Sequence, residues 1–307
     1  MQLRRALVIC TLLGALAGCR ETAADHLQRA RDAVFEKNPD EALVEYRKAF
    51  DMLRRDDSAP ALVLRARALK GAADVYWLEQ RKVKEAVSVY KELIQQCPES
   101  PEALEARIIL AELLRMHYRD LRGAIDQLTA ALQRNPPQGA ELHYQVAKIY
   151  FELGDYAQCE LEARKLAERF ATSAYVDDAL FLQAQAVHMM EGRRQEASRI
   201  YADLRSSFPD SELAPHALVE MGKIRADAGE NEKAIELWVE SLKMHPDPTL
   251  VQDYISRARR RITNTTPEAV GQRAVAFDYA KVPPRPPRNS IEAVGGTADE
   301  AARDHGD

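Results

Sequence analysis

Long hydrophobic runs are almost missing from this sequence. The stretch 6–17 (ALVICTLLGALA) is continuously apolar, but it is 12 residues long, and a mature membrane-crossing helix needs about 20. Glycine is thin, at 13 of 307 residues, which excludes collagen-like and glycine-rich linker classes. Four cysteines in so long a chain cannot form a disulfide framework. Charge of one sign is also lacking: the net value is −5, and −7 once Arg4 and Arg5 are set aside, so no basic domain suggests a nucleic-acid partner. The glycine-rich phosphate loops and the HExxH, CxxC and GxSxG patterns are absent, and the seven histidines lack metal-ligand spacing. No catalytic centre, cofactor, metal or small-molecule substrate is therefore expected.

What is present is a helical period of three and four. From Ser211 to Pro246 the chain reads as two amphipathic helices joined at Gly229-Glu230-Asn231. Leu218, Met221, Gly222 and Ile224 mark one buried stripe; Ala234, Leu237, Trp238 and Leu242 mark the other, and Pro246 stops the second helix. One such hairpin cannot bury its apolar face alone, so copies are expected. A small residue recurs early in each second helix, at Ala42, Ala86, Ala124, Cys159, Ala197 and Ala234. An aromatic follows four residues later at Tyr46, Tyr90, Tyr201 and Trp238, replaced by Leu128 and Ala163 in the third and fourth copies. Pro98, Pro136, Pro209 and Pro246 close four of the six. This pattern resembles the tetratricopeptide repeat (TPR), which implies an all-α TPR-like solenoid of about six hairpins over 26–263.

Thr249 to Thr263 would then be a capping helix, with Leu250, Tyr254, Ile255 and Ile262 on the stack and Arg257, Arg259, Arg260 and Arg261 toward water. In that family the first helices line a concave face, where the resemblance places Tyr144, Lys148, Phe151 and Lys223 as a partner-binding groove. Aromatics beside lysines suit an extended peptide or a helix with an acidic end. Leu153 is expected in the core, and His143 and His216 on the surface. Asp177 and Asp178 are read as favouring a helix N-terminus, and Met189-Met190 as either core or an adaptable surface. Cys97 and Cys159 fall two repeats apart and are expected to stay unpaired.

The first 18 residues, basic then apolar, read as a signal peptide (1–18). Leu16-Ala17-Gly18-Cys19 resembles the bacterial lipobox, which implies cleavage before Cys19 and its acylation; several acyl chains anchor a protein where one would not. Residues 19–25 would be the lipid-anchored tether. Arg20, rather than aspartate, after the lipidated position points to the outer membrane, with the protein facing the periplasm. The joints Cys97-Pro98-Glu99-Ser100 and Phe208-Pro209-Asp210-Ser211 are similar to those of periplasmic TPR proteins of the BamD and CpoB kind. Residues 264–307, with Pro283-Pro284-Arg285-Pro286-Pro287, read as a disordered tail. The expectation is a lipid-anchored scaffold for envelope proteins, in outer-membrane assembly, envelope coordination, or a motility or secretion apparatus. A regulator that recruits peptidoglycan-processing enzymes is the alternative.

Overall fold

The computed structural model describes residues 21–265. The stretch expected to be a signal peptide, Cys19 and the expected tail beyond 265 lie outside the described residues. Thirteen helices follow one another, and no strand occurs among the described residues. They pair into six hairpins: α1 (Ala23–Phe35) with α2 (Pro39–Leu53), α3 (Ala59–Asp74) with α4 (Val83–Gln96), α5 (Pro101–Leu113) with α6 (Leu121–Leu132), α7 (Gly139–Leu153) with α8 (Tyr156–Arg169), α9 (Val176–Met189) with α10 (Arg194–Ser207), and α11 (Ala214–Asp227) with α12 (Asn231–Ser241). The last helix, α13 (Pro248–Thr265), closes the stack.

Local chemistry sets the helix starts. Thr22 and Asp25 form a reciprocal capping box at α1, so the helix begins inside the stretch expected as a polar tether. Asn38, Ser100, Asp120 and Asp155 accept from backbone amides at the next helix starts. Arg65 and Arg134 tie down backbone carbonyls at two joints. Buried Arg65 donates to the carbonyls of Leu53 and Asp56, and Arg134 to those of Pro98, Glu99 and Ser100.

All six small residues tracked in the sequence are 0% exposed, which is why the second helices can close onto the first. Trp238 does so in its own hairpin: its indole lies over Gly222, donates to the Val219 carbonyl at 3.0 Å, and stacks on Tyr254 of α13. Tyr46 uses the same device across a joint, lying over Gly71 of the next repeat. Leu153 is not in the core. It is 39% exposed at the end of α7, where the fourth repeat's core is carried by Leu166. On α13 the buried positions are Val251, Ile255 and Ala258, while Leu250 turns outward. Cys97 and Cys159 are free, buried thiols in separate core clusters, and burial pushes the Cys159 thiol up to about 12.

First helices of neighbouring repeats touch (α1 with α3, α3 with α5, α7 with α9), and second helices make no comparable contact. The first helices therefore line the tighter, inner face. Lys70 of α3 reaching Glu105 of α5 at 3.1 Å, and Tyr144 of α7 reaching Asp178 of α9 at 3.3 Å, run along it.

Candidate partner-binding groove

The inner face opens where α5 and α7 do not close on each other, at the most loosely packed of the consecutive helix junctions, α6 to α7. The hollow holds about 380 Å³. Ile108, Ala111, Leu128 and Ile149 form an apolar floor; Glu112, Arg115, Glu141, Gln145 and Lys148 form a polar rim. Three rim groups are already engaged. Arg115 donates to Glu152 at 2.7 Å, and Gln145 to Glu141 at 3.1 Å. Lys148 has no ion-pair partner among the described residues, and its amine lies 5.4 Å from the Tyr144 ring centroid. An apolar floor with one free cation suits a peptide that inserts an apolar side chain and brings a carboxylate.

The four residues expected to form the groove do not act together. Lys148 lines it. Tyr144 and Phe151, on the same helix face, are half-buried packing residues. Tyr144 lies against Tyr175 and donates to Asp178, and Phe151 meets Tyr156 edge-on at 5.3 Å. Burial, then the Asp178 carboxylate, pushes the Tyr144 hydroxyl up to about 12. Lys223 lines a different hollow of about 130 Å³, with Trp238, Tyr254 and Arg257 around it, and is held by Glu220 at 2.7 Å.

Asp177 and Asp178 stand in the first turn of α9 as expected, and they carry a further role that sequence reasoning did not foresee. Asp177 accepts from Ser211 at 2.6 Å while Asp178 holds Tyr144, so the two tie three repeats together. Burial, then Asp177, raises the Asp178 carboxyl. Met189 and Met190 divide: the first is 57% exposed, the second is half-buried and packs against the core. His216 is half-buried against His245, with ring centroids 4.5 Å apart. His143 is buried, not on the surface, because Glu162 of α8 takes its Nδ1 at 2.8 Å. His26 and Glu45 repeat this pairing in the first hairpin at 2.7 Å, and Lys48 and Lys165 complete both sets.

Burial, the largest influence on Glu162, pushes its carboxyl up, but bonds from His143 and Lys165 outweigh it and leave it below its ordinary value. The His26 and Lys48 bonds hold Glu45 down likewise. A depressed folded carboxyl stabilises above the unfolded value of 4.5 and ceases to do so as pH falls through the folded value. The melting temperature should therefore hold on going down to pH 5 and fall below about 4.5. His143→Gln should make that fall shallower; an identical acid limb in the variant would show that the pair does not contribute.

A tetratricopeptide-repeat family model matches residues 27–101 and 118–174. No curated protein matches the chain. Among solved structures, the C-terminal part of a TPR repeat-containing protein from Cytophaga hutchinsonii is 13% identical, covers 81% of this chain and 94% of its own, and superposes with a TM-score of 0.58. A chain of the Naa15/Naa10 complex bound to HypK-THB is 16% identical, covers 81% of this chain and 37% of its own, with a TM-score of 0.52. A tetratricopeptide repeat protein from Parabacteroides merdae is 16% identical, with coverage of 77% and 98% and a TM-score of 0.46. The first two likenesses bear on fold alone, and the helix pairing agrees with them: residues 21–265 form an all-α solenoid of six TPR-like helical hairpins closed by a capping helix, with the repeat family itself matched over 27–101 and 118–174.

Proposed function

We propose that this protein is a lipid-anchored, periplasm-facing TPR scaffold that holds a segment of an envelope protein in its inner groove, without catalysing a reaction. The observation that carries this reading is the opening between α5 and α7, apolar at its floor and rimmed by Lys148, which has no ion pair among the described residues. Anchoring is supported by the Leu16-Ala17-Gly18-Cys19 motif, and the outer membrane by Arg20 after it. The lipid would fix the stack to the membrane, and the solenoid would hold the groove rigid, so that the partner loses little freedom beyond its own. The similarity of the joints Cys97-Pro98-Glu99-Ser100 and Phe208-Pro209-Asp210-Ser211 to those of periplasmic TPR proteins of the BamD and CpoB kind supports an envelope assembly as the setting.

The test compares three chains expressed in a diderm bacterium. Cys19→Ala should lose incorporated palmitate and leave the membrane fraction. Lys148→Glu with Ile108→Ser, which alters the rim and the half-buried part of the floor, should keep its lipid and most of its helicity but recover at least about tenfold less of the protein that co-purifies with wild type. Palmitate retained by Cys19→Ala would refute the anchor. Undiminished recovery by the groove variant would refute the groove.

A further inference from the structure

Three of the six hairpin turns carry something that closing a hairpin does not require. Each turn needs one residue in the left-handed conformation. Repeats four to six use Gly154, Gly192 and Gly229, with φ of 76°, 77° and 82°. Repeats one to three place Lys37, Arg81 and Arg119 there instead, at 61°, 56° and 53°. A side chain in that region is strained where glycine is not, so three cations are kept at tips that geometry would give to glycine.

Beside each cation an apolar side chain stands in solvent. Phe35 is 88% exposed, Leu78 55% and Met116 62%. Leu78 and Met116 lie on π-helical turns, Val75–Glu79 and Leu114–Tyr118, that end the first helices of repeats two and three; such turns are frequent at functional sites. The tips are neighbours. Lys37 Nζ lies 3.7 Å from Glu79, Gln80 donates to Asp40 at 2.7 Å, and the Trp77 and His117 rings meet edge-on at 5.3 Å. Lys82, Lys84 and Arg122 add positive charge and have no ion pair among the described residues.

We propose that this strip of turns, distinct from the inner groove, docks an amphipathic helix of a partner protein whose apolar residues recur every seven positions between flanking carboxylates. Successive repeats advance by about 10 Å, the spacing of packed helices. Seven residues of an α-helix rise about 10.5 Å. A helix laid along the strip therefore meets each tip with the same face, its apolar side chains beside Phe35, Leu78 and Met116 and its carboxylates beside Lys37, Arg81 and Arg119. An anionic lipid surface fits less well. Glu36, Glu79 and Asp120 stand among the cations and would be repelled by headgroups, whereas a protein helix can place neutral residues opposite them.

The probe is a synthetic three-heptad peptide with leucine on one face and glutamate beside it, labelled for fluorescence anisotropy against the full-length protein in mild detergent. A lysine-flanked peptide and phosphatidylglycerol vesicles are the comparisons. The glutamate peptide should bind and the lysine peptide should not. Lys37→Gly/Arg81→Gly/Arg119→Gly should melt at the wild-type temperature, since glycine suits those angles, yet bind the glutamate peptide at least about tenfold more weakly. Leu78→Ser/Met116→Ser should weaken it as well. Failure of the glutamate peptide to bind, equal binding of both peptides, unchanged affinity in the glycine variant, or binding of vesicles alone would each overturn the proposal. The last would assign the strip to a membrane surface.

Discussion

Leu166→Asp is expected to cost about 4 kcal/mol or more, whereas Leu153→Asp, thirteen positions earlier, should stay within about 1 kcal/mol. Leu166 is 0% exposed on α8, in the cluster that joins Cys159, Ala163, Val176 and Ala179. A carboxylate there is desolvated among aliphatic groups that offer it no partner. Leu153 ends α7 beside Gly154 and already meets water. The damage should also be local before it is global. Each hairpin buries its face only against its neighbours, so losing the fourth removes an interface from the third and fifth. Hydrogen exchange on Leu166→Asp should show lost protection from α5 to α10 while α1 to α3 keep theirs. Equal losses for the two variants, or uniform deprotection along the stack, would contradict this placement of the core.

The repeat was legible because its marker is a packing constraint. Ala42, Ala86, Ala124, Ala197 and Ala234 sit where two helices approach closely, and Cys159 is small enough to replace them. The inner groove was legible only at Lys148. Tyr144 and Phe151 share its helix face in sequence, but a helix buried on several sides divides one face among different neighbours, and these two turn toward α9 and α8. Arg115, Glu112 and Ile108 come from the preceding repeat, across a junction whose looseness no periodicity records. The buried His143 looked like a surface residue because its partner lies 19 positions away on another helix. A signal was available: His26, Glu45 and Lys48 recur at the same spacings as His143, Glu162 and Lys165. The π-helical turns left no comparable trace, since the extra residue in each reads as ordinary helix.

Gly222→Ala should destabilise the C-terminal end of the stack by about 3 kcal/mol, a large effect for one methyl group. A Cβ at position 222 would fall 2.2 Å from the Trp238 Nε1 and 2.7 Å from two further ring atoms. The ring cannot step aside freely, because its N–H is bound to the Val219 carbonyl and its face stacks on Tyr254, centroids 5.5 Å apart. Overpacking of this kind costs about 1–3 kcal/mol, and a broken buried hydrogen bond adds about 1–3. Displacing the indole also loosens α13, which Tyr254 helps to dock, and α13 carries Arg257, Arg259, Arg260 and Arg261. Limited trypsin digestion should therefore cut α13 faster in the variant, before the rest of the solenoid is touched. The origin of the effect can be checked by a cycle with Trp238→Phe, whose smaller ring leaves room for the methyl. The double variant should be more stable than the sum of the two single losses requires. Strict additivity, or a Gly222→Ala protein within about 0.5 kcal/mol of wild type, would mean that the close approach of α11 and α12 does not depend on this glycine.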